Sequence, residues 1–286
     1  MKGTFIFCLI SILLSGSLFA QNTARRLFVG IDGPVKSVRL EVAKLTPDGD
    51  SVVEGPRILS SADEANEDGS LTISRRYRPD GTVNSKQVTS YLPDGRAKES
   101  LVYSGEERLS TRILYHYDSD SGGNRMEMFH YSADGTIDST SIRYLDGSLS
   151  LTEGETRDKS GYLREHEVST RTDSGLIEQT RSLYKEGRMS GKVVTVILSA
   201  RQNEQQSYDA EGVLKSKILT TVDQKGEWVE RATYDAEDKL REKVNYEREY
   251  DTRGNWIKQV VSKWNPQTEK SEMAQVYYRA ITYYEH

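Results

Sequence analysis

The feature that most limits what this chain can fold into is a turn that recurs along it. Glycines at 33, 69, 81, 95, 135, 147, 161, 175, 187, 212, 226 and 254, with Asp238 standing in the same slot, fall mostly 12 or 14 residues apart. Two residues after these thirteen positions stand Val35, Leu71, Val83, Ala97, Ile137, Leu149, Leu163, Ile177, Met189, Leu214, Trp228, Leu240 and Trp256. All are apolar, where a 35% hydrophobic composition would give about five. Four residues before the turn a tyrosine stands at Tyr77, Tyr91, Tyr131, Tyr208, Tyr234 and Tyr250. A fixed period of this kind marks a repeat architecture.

The unit, Tyr-x-x-x-Gly-x-apolar, reads as a β-hairpin. Asp-x-x-Gly forms a turn whose last residue takes positive φ, which glycine tolerates without strain. Asp238 fits because Asp accepts that conformation better than most residues. The flanking Tyr and apolar residue then face each other across two strands. Thr, Val and Tyr are frequent between turns, and no long stretch keeps a 3.6-residue apolar period. The expected fold is all-β: an antiparallel β-meander of repeated hairpins, extended or curled, with about 14–17 strands of nine or ten residues. Further turns are expected near Gly105, near Gly122–Gly123 and near Gln202–Asn203. Residues 54–69 read as the one long loop, and Val276–Tyr284 as a terminal strand whose free edge could pair with another copy.

At YDAEG (208–212), YDAED (234–238) and YDTRGNWIKQ (250–259) the sequence resembles the tyrosine–aspartate repeats of the Rhs/YD-repeat superfamily, most closely its small secreted bacterial members. In large members such repeats form β-sheet shells around a toxin. This chain is too short to enclose one, so the resemblance implies the fold element without the toxin-delivery role.

The amino terminus reads as an export signal. Lys2 precedes the apolar run Phe5–Leu14, and a small residue, Ala20, offers a cleavage site. On this reading residues 1–20 are a signal peptide, 21–30 a leader, and 31–286 a single β-repeat domain that is secreted or periplasmic. Cys8, the only cysteine, lies inside the signal, so the exported part has no thiol chemistry and no disulfide. The net charge of −5, with both signs interspersed, argues against nucleic acid as a partner. No later segment is apolar enough for a transmembrane span, and the strands lack the lipid-facing alternation of an outer-membrane barrel.

Sites for chemistry are few. Glu165-His166-Glu167 would split across the two faces of a strand, so the three cannot converge. Asp118 to Asn124 has the composition of a calcium loop, but the twelfth position, where a bidentate acid is needed, is Phe129. Neither a cofactor nor a metal site is expected. The leading expectation is a non-enzymatic binding or structural surface for a protein or a cell-envelope glycan, with Trp264 as the freest aromatic; Trp228 and Trp256 already fill the repeat's apolar slot. Two alternatives stay open: an exported carboxylate-based hydrolase, and a barrel-like carrier of an apolar ligand.

Overall fold

The computed structural model describes residues 28, 31–49, 51–118, 125–146, 150–172 and 176–285. The signal peptide and most of the leader, the calcium-like loop beyond Asp118, and the turns at Gly147 and Gly175 lie outside these.

The described chain is almost entirely strand. In order come β1 (Val35–Asp48), β2 (Ser51–Glu54), β3 (Ile58–Ala65), β4 (Leu71–Tyr77), β5 (Val83–Tyr91), β6 (Ala97–Ser104), β7 (Arg108–Tyr117), β8 (Arg125–Ser132), β9 (Ile137–Leu145) and β10 (Leu151–Asp158). They are followed by β11 (Leu163–Arg171), β12 (Ile177–Lys185), β13 (Arg188–Ser199), β14 (Gln202–Asp209), β15 (Leu214–Val222), β16 (Trp228–Asp235), β17 (Leu240–Tyr250), β18 (Trp256–Asn265) and β19 (Lys270–Tyr283).

The hairpin rule holds at each Tyr-bearing turn. The register sets Tyr77 opposite Val83, Tyr91 opposite Ala97, and Tyr131 opposite Ile137. It likewise sets Tyr208 opposite Leu214, Tyr234 opposite Leu240, and Tyr250 opposite Trp256. Asp238 takes φ 60°, the value its place in the glycine series requires. The Asp after Tyr has a specific job: Asp209 Oδ1 accepts from the Glu211 and Val213 amides at 3.1 and 2.8 Å. Asp235 and Asp251 repeat this bond for bond. The Lys215 ammonium, together with these bonds, holds the Asp209 carboxyl below the usual range; at Asp235 desolvation pushes upward, and the amide bonds and Arg241 outweigh it. Amide bonds and neighbouring hydroxyls do the same for Asp80 and Asp134.

A carboxyl depressed in the folded chain stabilises it above the unfolded value, near pH ~3.9, and loses that contribution as pH falls toward the folded value. The urea midpoint is therefore expected to stay level from pH 6 to 5 and to drop below about pH 4. Asp209→Asn, which keeps an acceptor at Oδ1, should flatten part of that drop. A midpoint independent of pH down to 3 would show that the turn carboxylates carry no stability.

Three expectations are corrected. The sheet is not open: β3 to β19 pair in sequence, and β1 pairs with both β19 and β3, closing an 18-stranded antiparallel barrel. In the terminal segment Val276–Tyr284, Val276 to Tyr278 are paired on both sides, to β18 and to β1, whereas Arg279 to Tyr283 pair with β1 alone. Residues 54–69 are not a loop. They contain β3, whose Ser, Asp and Glu residues have the composition of a loop although Ser61, Ala62 and Ala65 are buried, and they follow β2, which pairs with the far end of β1 as a short arm. The turn expected at Gln202–Asn203 falls at Ala200–Arg201, and that at Gly105 stands, with φ 72°.

Alternate residues face the inside and the outside of the barrel. The inner face is the crowded one. There burial raises the phenols of Tyr117, Tyr246 and Tyr277 and lowers His130. On the outer face the shifts of Arg57, Tyr278 and Lys258 come chiefly from hydrogen bonds. The inner wall is polar, with Ser141 bonded to Thr156 at 2.9 Å, Thr89 to Ser100 at 2.8 Å, and Arg143 to Glu167 at 3.1 Å. The outer wall carries ion pairs between neighbouring strands: Arg112–Glu99 at 2.6 Å, Lys243–Glu230 at 2.6 Å and Lys258–Glu249 at 2.7 Å. Only twelve hydrophobic residues are buried among those described, so the wall is one strand thick and encloses no dry core. Barrels of 16–18 strands are wide enough to leave a water-filled interior.

Candidate functional site

The two ends of the barrel differ. Hairpins that follow the odd-numbered strands from β3 onward, together with the start of β1 and the end of β19, lie at one end, called here the terminal end. A register shift recurs beside these turns, and its extra residue lies on the strand after the turn (Asn84, Lys98, Lys215 and Ile257), so each Tyr keeps the face its own strand gives it. At the far end Tyr208 and Tyr234 lie on the outer wall, beside Lys192 and Lys217. At the terminal end Tyr91, whose hydroxyl is 3.1 Å from Thr72 Oγ1, lies on the inner wall. Tyr250 alternates with Arg248 and Tyr246 on the same face.

At the terminal end, residues just before and within the start of β1 pack against the barrel wall. Ile31, Val35 and Val38 are buried together, with Phe28, Ile281 and Tyr283 against them. Asn255, 2% exposed, pins this segment. Its Oδ1 accepts from the Asp32 amide at 2.7 Å, and its Nδ2 donates to Asp32 O and to Tyr283 Oη at 2.9 and 2.8 Å. Tyr284 completes the seam, taking Pro34 O with its amide and Ala65 O with its hydroxyl. The repeat motif at 250–259 thus supplies, in Asn255, the residue that ties residues 223 positions apart.

Beside this seam two arginines share the inner wall. Arg248, with its side chain 6% exposed, donates Nη1 to the Trp228 carbonyl at 2.6 Å and reaches Glu227 at 3.7 Å. Its Nε is buried without a hydrogen-bond partner. Arg279 lies flat over Trp256, 3.4 Å from the ring centroid, and its Nη1 is also buried without a partner. Burial pulls its guanidinium down to about 10, with Glu227 acting against and Arg248 reinforcing that shift. One carboxylate therefore serves two guanidiniums. Trp228 and Tyr246 make a tilted ring pair beside Arg248, with centroids 5.9 Å apart.

Arg279 also borders a groove of about 440 Å³ between the N-terminal segment and β1, β3, β4 and β5. Phe28, Ile31, Val38 and Leu40 form one wall, and Thr72, Ser74, Gln87 and Thr89 the other. The groove's second arginine, Arg76, is already held by Asp63 at 3.1 Å.

Trp264 is not part of this site. It stands opposite Ser271 beside the β18–β19 hairpin, at the far end of the barrel. Trp228 and Trp256 do fill the repeat's apolar slot, and from it they also wall the arginine pair. His166 faces outward to Glu153 at 3.1 Å while Glu167 faces inward to Arg143, as their alternation requires. Among the described residues, no group of three or more His, Cys, Asp or Glu is placed to hold a metal ion.

No family model matches the chain, and no characterised protein matches it by sequence. Among solved structures it is similar to a porin-like protein from Bacteroides uniformis, with 9% identity, a TM-score of 0.42, and coverage of 87% of this chain and 96% of that one. It is similar also to a porin-like protein from Bacteroides vulgatus, with 10% identity, a TM-score of 0.40, and coverage of 88% and 99%. A DUF1329 family protein from Desulfovibrio piger aligns at 13% identity and a TM-score of 0.23, with coverage of 91% and 90%. At these scores the likenesses carry no argument about function.

Proposed function

We propose that the chain is an exported, non-enzymatic binding protein: a closed barrel that stands in water in the cell envelope or outside the cell and takes its ligand into the lumen. The observation that carries this reading is the closed ring around a polar interior, since enclosure favours an internal ligand over an external binding surface. The protein or glycan surface expected of an open sheet loses ground with closure, because the long strand edges it needs are paired.

The placement of charge favours water over a bilayer. Charged side chains stand mid-strand on the outer face, for example Arg112, Lys192, Lys217 and Lys243, and the inner face carries Arg143 and Arg248. An arginine or lysine facing lipid at mid-membrane costs about 2–4 kcal/mol each, so neither face offers an apolar band. The carboxylates speak against the hydrolase alternative. Among those described whose pKa departs from the ordinary value, the shift is downward, as at Glu54, Glu155 and Asp158. A general acid needs the opposite.

Detergent phase partition tests the reading. The chain should remain in the aqueous phase, run as a single species without detergent, and add no conductance to a planar bilayer. Partition into the detergent phase with ion conductance would replace the binding protein with a pore.

A further inference from the structure

The groove beside Arg279 contains a cation left uncompensated by the described residues. The guanidinium stacks on Trp256, one edge is buried without a partner, and among the described residues no ion pair holds it. Glu227, the acid it feels, already lies at 3.7 Å from Arg248. Arg76 across the groove is occupied by Asp63, which also accepts from Ser74. A buried guanidinium left without an anion is costly, and pairing it with a planar carboxylate recovers two charge-assisted hydrogen bonds. Next to it lies the apolar wall of Phe28, Ile31, Val38 and Leu40. The volume of about 440 Å³ is that of a small-molecule pocket.

We propose that this groove binds a carboxylate-bearing amphiphile, with the carboxylate on Arg279 and the hydrocarbon body along the Phe28–Leu40 wall. This deepens the lumen reading and rests on it. An acidic sugar would use the charge and the hydroxyl wall but leave the apolar wall uncovered. A neutral lipid would use the apolar wall but leave the guanidinium unpaired.

The test is calorimetric titration of the full chain with dodecanoate, dodecanol and glucuronate as probes. Saturable dodecanoate binding, at least about tenfold tighter than either other probe, is expected, the size of one lost charge-assisted bond. Arg279→Gln should weaken dodecanoate at least about tenfold, whereas Arg279→Lys, which keeps the charge, should retain most of the affinity. Arg57→Gln, on the outer wall over Tyr278, should leave binding unchanged. Circular dichroism and the unfolding midpoint of each variant separate loss of site from loss of fold.

Equal binding of dodecanol, indifferent to Arg279→Gln, overturns the anion assignment while leaving a lumen binding protein in place. Preference for glucuronate overturns the amphiphile and turns the site toward acidic glycans. Absence of all binding by a chain that stays aqueous in detergent partition overturns the groove proposal alone. Detergent-phase partition with ion conductance overturns the lumen reading itself.

Discussion

Val276→Asp is expected to cost about 3–5 kcal/mol, the penalty of an uncompensated buried charge. Val276 is 2% exposed and sits in β19 between Val260 of β18 and Ala43 of β1, which is fully buried. Arg57, stacked 3.4 Å from the Tyr278 ring centroid, and Glu54, bonded to the Tyr278 hydroxyl at 2.6 Å, help roof this spot. A carboxylate placed there would be stripped of its hydration between two packed strands. Domains are stable by only about 5–15 kcal/mol, so the loss is a large fraction of the total. Few other buried apolar groups exist to offset it. Equilibrium urea unfolding reads the change. A shift in free energy below about 1 kcal/mol would mean that the seam between first and last strands does not limit stability.

Gly191→Val should cost about 2–3 kcal/mol through overpacking. Gly191 lies in β13, opposite Leu183 of β12 and Asp209 of β14. A Cβ built there would come 2.7 Å from the Tyr208 carbonyl oxygen. That oxygen belongs to a central ladder and has no freedom to retreat as a flexible side chain would. Gly212 is the contrast, since an added Cβ meets nothing within 4 Å and its φ of 81° is the sole demand. The same urea measurement decides the matter, and an unchanged midpoint would show that β13 and β14 can part at this point without loss.

The hairpins were legible in the sequence because they are local. Tyr208 and Leu214 are six residues apart, and one glycine and one aspartate specify the turn between them. Closure was not legible, because nothing in VRLEVAKL differs in kind from a strand paired on one side only. β3 was missed for a related reason: SSADEA is polar on both faces, and composition then points to a loop. The mixed pattern of 257–262 has the same cause, since Lys258, Val260 and Ser262 face out while Gln259 and Val261 face in, and neither face is uniformly apolar. The arginine pair was invisible because Arg248 and Arg279 stand on different strands, and repeated register shifts defeat counting of faces from one turn to the next. Trp228 and Trp256 were noticed, and their slot in the repeat hid their second role as walls.

Nearly every pairing in the barrel joins neighbours in the chain. The exceptions are the pairing of β1 with β19, whose partners are more than 230 residues apart, and the short skip from β1 to β3 past β2. Hairpins can form in microseconds as each pair of strands becomes available, whereas the long-range join must await β19. Seen as a folding sequence, synthesis makes a curling ribbon whose two ends stay reactive until the last fourteen-residue strand arrives. A chain shortened by even that one strand would keep almost all of its local order and yet present two long unsatisfied edges to its neighbours. The final strand is therefore the step that converts an assembly-prone sheet into a self-contained molecule.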